Sequence, residues 1–306
     1  MHDVIVIGAG PAGITSAVYC ARKQLNVLVL TENIGGQAAT SAAIENYTGF
    51  QIVTGPQLAE KFNAHLKEFD VEVLEGKSHL AQKIEKTASG TFTVSTPSGV
   101  HDGRCVVIAS GAHPRELGVP GEQQFKYKGI AYCATCDAPM FRNKAVAVIG
   151  GGNSALDALI QLEPIASKTY AVVRESSFSQ WADKIMVEKA ISSPKIETIY
   201  RAETKEFFGK SFLEGIKLEV AGSPRTLEVQ GAFIEIGWVP NSQFVGPEVA
   251  RNKSGEIIVN DRCETSVPGL FAAGDVSSVP YKQIIIAAGQ GSIAALSAFE
   301  YLSRRK

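Results

Sequence analysis

Cysteine is scarce in this chain, with five among 306 residues. That is too few for a disulfide scaffold, and the odd number argues against a fully oxidised secreted protein. An excess of one charge is also missing. Thirty basic against thirty-one acidic side chains leave a formal net charge of -1, so nothing draws the chain to phosphate backbones or anionic membranes. Nucleic acid is not an expected partner. Long apolar runs are scarce too. None approaches the roughly 20 residues of a membrane-spanning helix, and the nearest, residues 284–299, is interrupted by glycine and glutamine. No basic stretch or cleavage site precedes the apolar residues 4–7, so no export leader is expected and the location read from the sequence is cytoplasmic. With 45% hydrophobic residues over this length, disorder is excluded and two domain cores can be filled.

What is present is a pattern that occurs twice. Val4-Ile5-Val6-Ile7-Gly8-Ala9-Gly10-Pro11-Ala12-Gly13 is echoed by Val146-Ala147-Val148-Ile149-Gly150-Gly151-Gly152-Asn153-Ser154-Ala155. A Gly-x-Gly-x-x-Gly/Ala run is weak evidence alone, because glycines gather in any loop. Here each copy follows a β-branched strand and opens a helix (14–23 and 156–162). Each helix leads to a second strand (27–30 and 169–173), completing a βαβ unit. The first glycine allows the tight turn, the second lets a pyrophosphate approach, and the third position lets helix pack on strand. Two dinucleotide sites are expected, in an α/β chain of two Rossmann-like three-layer domains.

The residue after the second strand sorts dinucleotides, a carboxylate selecting a ribose 2′-hydroxyl and arginines a 2′-phosphate. The first unit offers Thr31-Glu32, of which Glu32 suits the ribose, with the register open by one. The second offers Arg174-Glu175, where the acid would repel a 2′-phosphate.

Between the repeats lies Tyr132-Cys133-Ala134-Thr135-Cys136-Asp137. Cysteines at this spacing fall on one face of a helical turn, within disulfide reach. A redox disulfide is expected; zinc and an inert buried pair are the alternatives. A structural zinc would need a second ligand pair, and Cys20, Cys105 and Cys263 are isolated in the sequence. Asp137 can supply the proton that thiol–disulfide exchange needs, or it can simply cap a helix. Cys20 and Cys105 read as small core residues, while Cys263, beside Asp261 and Arg262, is expected to be exposed. The basic tail at 304–306 reads as a solvated terminus.

These motifs resemble the low-molecular-weight thioredoxin reductases, and more closely the flavin-containing core of the alkyl hydroperoxide reductase flavoprotein. The likeness extends over nearly all the chain. Further matching elements are Ile34-Gly35-Gly36-Gln37, Ile44-Glu45-Asn46-Tyr47, Phe271-Ala272-Ala273-Gly274-Asp275, and the run from Val279 through Tyr281, Lys282 and Gln283 to Ile286.

The resemblance implies FAD at the first site, with Gly8, Gly10, Pro11, Ala12, Gly13, Glu32, Gly36, Gln37, Asn46, Gly274 and Ile284 around it. It further implies that Asp275 bonds the ribityl chain and that Gln283 lies beside the isoalloxazine. The pyridine-nucleotide site would use Gly150, Gly152, Asn153, Ser154, Arg174 and Glu175. The nicotinamide domain (115–244), which carries the Cys-x-x-Cys, would be inserted in an FAD domain formed by 1–114 and 245–306. The residues agree with that arrangement: the strand at 269–273 lacks a βαβ partner of its own and must join an earlier sheet. Electrons would pass from nicotinamide to flavin, to the Cys133–Cys136 disulfide, and then to a partner protein. Cys136 would be the flavin-proximal sulfur, Cys133 the attacking one and Asp137 the acid/base. The resemblance also implies a homodimer and rotation of one domain against the other about hinges at 118–121 and 238–241.

Two departures shape the expectation. NADPH-using members carry a His-Arg-Arg motif, with a further arginine, where this chain reads Val173-Arg174-Glu175-Ser176-Ser177-Phe178-Ser179, so NADH is favoured over NADPH. The same loss occurs in relatives fed by ferredoxin. The thioredoxin-like extension of the peroxide-reductase flavoprotein is missing, so the expected acceptor is a separate thioredoxin or glutaredoxin-like protein, which could serve a peroxiredoxin. A flavin-binding redox sensor without turnover is the competing reading from another class.

Overall fold

A computed structural model describes residues 1–41 and 44–304 of the chain. Two compact units emerge, one made of Met1–His113 with Val239–Lys306 and the other of Pro114–Trp238. Of the basic tail, Arg305 and Lys306 lie outside the described residues.

The first unit begins with β1 (His2–Ala9), α1 (Pro11–Arg22) and β2 (Val27–Ile34). It continues through α2 (Gly55–Lys67), β3 (Glu72–Glu75), β4 (Lys83–Lys86), β5 (Phe92–Thr96) and β6 (Gly99–Ile108). β1, β2, β3 and β6 are parallel in the order β3-β2-β1-β6, while β5 and β4 extend the sheet antiparallel along the first half of β6. The unbroken apolar run of β1 is what a strand covered on both faces requires. Val4 and Val6 pack with Val29, Val107 and the helices on one face, while Ile5 and Ile7 pack with Leu28, Leu30 and Ile108 on the other. Each such side chain contributes about 1.5–3 kcal/mol of transfer free energy.

After β7 (Ala112–Pro114) the chain builds the second unit, starting with α3 (Glu122–Phe125), β8 (Ile130–Ala131), α4 (Ala134–Asp137), β9 (Ala145–Ile149) and α5 (Asn153–Leu162). Next come β10 (Lys168–Val172), α6 (Lys184–Ser192), β11 (Ile196–Ile199), β12 (Ala202–Gly209), β13 (Leu213–Val220), β14 (Ser223–Glu228) and β15 (Gly231–Ile234). Its five-stranded sheet, β11-β10-β9-β15-β8, is wholly parallel. One face carries α4, α5 and α6; the other is covered by the antiparallel sheet β12-β13-β14 through Phe207, Ile216, Leu218 and Leu227. The third layer of this unit is therefore a small sheet.

The chain leaves through β16 (Trp238–Pro240), which pairs with β7, and adds β17 (Leu270–Ala272) and α7 (Ile284–Ser303) to the first unit. β17 lies parallel to β6, Leu270 beside Val106 and Ala272 beside Ile108, so the late strand does join the early sheet. Residues 239–244, assigned from the sequence to the middle domain, group with the first unit. The cause is local: Asn241 donates its backbone N–H to the Gly111 carbonyl (2.9 Å) and its side-chain amide to the Ser110 carbonyl (2.8 Å). The segment at 118–121, read as a hinge, lies inside the second unit. It is tied down there: the Gly118 N–H donates to the Glu122 carboxylate at 2.7 Å, and the Phe207 N–H to the Pro120 carbonyl at 2.9 Å.

Two further expectations change. α7 runs for 20 residues and by length and composition is apolar enough to cross a membrane, which corrects the expectation that no run approaches that length. In the fold it packs on α1: Gly291 lies so close to Ala12 that a Cβ would strike the Ala12 carbonyl. Cys263 is 1% exposed, where its polar neighbours implied exposure. Its backbone turns through φ 58°, and its thiol lies against the Gln290 carbonyl of α7 at 3.6 Å.

Candidate active site

The first glycine turn joins β1 to α1. Gly8 has φ 100°, and a Cβ there would enter the Ala109 carbonyl; a Cβ on Gly13 would strike the carbonyl of Gly8. Both glycines are required by the protein itself. Gly10 is different, since a Cβ on it would meet nothing within 4 Å. Its side faces open space at the start of a helix that no side chain caps, the arrangement in which first-turn amides can bind phosphate. Pro11 begins α1, where its missing N–H costs nothing. Gly36 sits so close that its Cβ would lie 3.2 Å from the Gly10 Cα, which brings the Gly35-Gly36-Gln37 turn to the same place.

At the end of β2 the register question resolves. The strand runs on to Ile34, so Thr31 and Glu32 lie within it. Thr31 is buried, its hydroxyl accepting the Ala9 N–H at 3.1 Å and donating to the Asn33 carbonyl at 2.7 Å. That side chain is committed to the fold. Glu32 is exposed and free to meet a ribose.

From the far end of the chain, Gln283 accepts a hydrogen bond from the Asn46 amide at 3.1 Å across 237 residues of sequence. Asp275 follows β17, burial pushes its carboxyl above the usual range against the pull of Lys282, and among the described residues no hydrogen bond or ion pair holds it. A half-buried acid without a partner has capacity left for a ligand hydroxyl. Gln290, which the sequence reading missed as a site residue, fixes this corner. Its side-chain oxygen accepts from the Gly274 N–H (2.8 Å) and the Ser277 hydroxyl (3.1 Å). Its signal was present as the glutamine that interrupts the apolar run. These residues fit a flavin dinucleotide: an open glycine corner, an uncapped helix start and an unpartnered acid.

The second glycine turn, between β9 and α5, repeats the scheme. Gly150 has φ 149° and abuts the Glu235 carbonyl, while Gly152 opens to free space. Ala155, fully buried, takes the third position. Asn153 accepts the Asp183 N–H at 2.8 Å, so its side chain organises the loop before α6. Ser154 donates to the Glu235 carbonyl at 3.5 Å. Arg174 and Glu175 are 81% and 70% exposed and pair with each other at 3.1 Å.

Cys133 and Cys136 are bonded, with Cα atoms 5.4 Å apart. Cys133 caps α4, and the Cys136 N–H points to its sulfur at 3.2 Å, a donor that favours a thiolate there. Asp137 closes that helical turn, and burial raises its carboxyl to about 6. It makes no capping bond, so the capping alternative is not what the structure shows. The other three thiols are buried and free; burial pushes Cys20 up to about 12 and Cys263 up to about 11, and it raises Cys105 well above the usual thiol value.

Two acids near the pair went unread in the sequence. Glu122, 1% exposed, accepts the N–H groups of Leu117 and Gly118 and the Tyr132 hydroxyl (3.1, 2.7 and 3.1 Å), anchoring the residue before Cys133. Glu235, 9% exposed, follows β15. Nothing in sequence spacing announces either, because each reaches its partners only through the sheet.

The sequence pattern of the family described as pyridine nucleotide-disulphide oxidoreductase matches residues 2–291. The chain is 42% identical over 305 residues to a protein of Bacillus subtilis named NADH dehydrogenase, covering 99% of this chain and 59% of that one. It is 41% identical over 311 residues to an alkyl hydroperoxide reductase component of Escherichia coli, covering 100% and 59%. The chain thus spans about three-fifths of the length of these relatives. Among solved structures it is similar to the thioredoxin reductase of Streptococcus pyogenes, with TM-score 0.91, 36% identity and 99% of each chain covered.

Proposed function

The chain belongs to the pyridine nucleotide-disulphide oxidoreductase family, and from that premise we propose that it is an FAD-dependent protein-disulfide reductase of the thioredoxin reductase type. Its electron donor is NADH in preference to NADPH, and its acceptor is a thioredoxin- or glutaredoxin-like protein that can serve a peroxiredoxin. The observation that carries the reading is the Cys133–Cys136 disulfide with a half-buried acid at its end that no other side chain pairs with among the described residues.

Bound FAD would supply two-electron transfer between a nicotinamide and the disulfide. The chain's own residues do the rest. Gly8, Gly10, Pro11, Ala12, Gly13, Glu32, Gly36, Gln37, Asn46, Gly274, Asp275, Gln283 and Ile284 bind and orient the flavin dinucleotide. Gly150, Gly152, Asn153 and Ser154 take the pyridine dinucleotide, with Arg174 and Glu175 at its ribose. The exposed Arg174 is already paired with Glu175, so a 2′-phosphate would meet an acid along with that arginine; the name of the Bacillus subtilis relative points the same way. Cys133, held beside the Cys136 N–H, attacks the acceptor disulfide. Asp137, raised to about 6, can take and return a proton near neutral pH.

The experiment is an anaerobic stopped-flow comparison of NADH, NADPH and reduced ferredoxin as flavin reductants. Fast bleaching by NADH is expected. Slow bleaching by both nicotinamides with fast bleaching by ferredoxin would replace the donor. No turnover with any donor and acceptor would leave a sensor.

Asp137→Asn separates the acid's two effects. A carboxyl raised on folding gives stability that is full below its unfolded value near 3.8 and lost as pH rises through about 6. The asparagine variant should melt higher than wild type at pH 8 but not at pH 4, while disulfide turnover falls about a hundredfold. Equal melting at both pH values would contradict the burial of that charge.

A further inference from the structure

We propose that Glu235 is a positioning residue for the thiol pair: its carboxyl sits behind the Cys133–Cys136 segment, joined to it through the Ala134 N–H, and its charge sets how readily the two sulfurs ionise. This rests on the reading of Cys133 and Cys136 as the redox pair. Placement follows from the sheet. β15 and β8 run parallel with Phe233 beside Ala131, so Glu235 and Cys133, each two residues on from that pair, follow the ends of neighbouring strands. Glu235 is 9% exposed, and the N–H of Ala134, the residue after Cys133, is directed at its carboxyl.

The groups that face Glu235 leave its charge uncompensated. From α5 comes the carboxylate of Asp157, a like charge. The Ser154 hydroxyl, also from α5, is spent on the Glu235 backbone carbonyl. From the cysteine segment comes only the Ala134 N–H. No lysine or arginine pairs with Glu235 among the described residues. Asp157 is held by the Gln161 amide, which also reaches the Thr135 hydroxyl at 3.3 Å between the two cysteines, so α5 and the cysteine turn are joined through polar side chains. Burial, with Asp157 adding to it, lifts the Glu235 carboxyl to about 8.

The consequence falls on the reduced pair. Two electrons entering the disulfide break the S–S bond and leave two thiolates, each of which takes one proton to become a thiol. A neutral Glu235 is silent in that equilibrium. An ionised one adds a negative charge behind the cysteine turn, at the Ala134 N–H, and raises the pH at which thiolate forms. The attacking thiolate is therefore favoured by a protonated Glu235.

The test reduces wild type and Glu235→Gln with dithiothreitol, removes the reductant anaerobically and alkylates with iodoacetamide across pH, reading Cys133 and Cys136 by peptide mass. The two should coincide at about pH 6.5. Above about 8, where Glu235 ionises, the glutamine variant should react about threefold faster, half a pH unit in thiol ionisation. Superimposable profiles would overturn the proposal. If the variant does not fold, carbon-detected NMR titration of wild-type glutamate carboxyls decides: one should titrate near 8, and titration of all of them below about pH 6 would overturn it. The readout is alkylation and not turnover, so it stands or falls separately from the disulfide-reductase reading, which Cys133→Ser decides.

Discussion

Cys133→Ser is expected to leave the bound flavin reducible by NADH while cutting turnover of a protein disulfide by about three orders of magnitude or more. The size follows from the chemistry. A serine hydroxyl cannot form the mixed disulfide through which thiol–disulfide exchange passes, Cys136 alone has no partner thiol with which to close the cycle, and no thiol outside the pair can substitute. Cys20, Cys105 and Cys263 are buried in the first unit, and burial raises all three thiols well above the usual value. They carry almost no thiolate at neutral pH. Folding should be little affected, because Cys133 is only half-buried. The check is steady-state reduction of thioredoxin coupled to a chromogenic disulfide, beside the rate of flavin bleaching in the same preparation. Undiminished turnover would remove the disulfide from the mechanism.

The second large effect separates two glycines three residues apart. A Cβ on Gly13 would enter the backbone carbonyl of Gly8, whereas one on Gly10 would meet nothing within 4 Å. Gly13→Ala must therefore push α1 off the sheet, at about 3 kcal/mol or more. Gly10→Ala should leave the flavin-free protein within about 1 kcal/mol of wild type. Its methyl would instead occupy the space kept for a pyrophosphate, weakening FAD by about a hundredfold. Flavin content after purification, with thermal melting of the flavin-free protein, reads both. A Gly10→Ala protein that retains FAD at wild-type affinity would show that the dinucleotide does not approach this corner.

The parts of the molecule legible in the sequence are those encoded by backbone geometry over short spans. The glycine turns at 8–13 and 150–155 could be read because each glycine answers a local steric demand. The cysteine pair could be read because disulfide reach follows from spacing. The late strand at 270–272 could be placed because it had no neighbour of its own. What stayed hidden depends on contacts between distant segments. Glu122 and Glu235 look like ordinary charged residues, and only the sheet buries them beside the cysteine turn. Cys263 sits among polar residues, yet its left-handed backbone turns the thiol inward. Thr31 and Glu32 could not be told apart until the length of β2 gave one to the fold and the other to solvent. α7 reads in the sequence as an interrupted run. Its glycine is the close contact with α1, and its glutamine is the support of the Asp275 turn.

The central claim is that reducing equivalents from NADH open the Cys133–Cys136 bond. It is tested most directly by counting thiols: flavin-loaded protein is reduced anaerobically with excess NADH, quenched in acid, unfolded and titrated. Three cysteines are free before reduction and the chain holds five, so the account predicts a rise from three thiols per chain to five, with the new pair at Cys133 and Cys136. A count that stays at three while the flavin bleaches would contradict it.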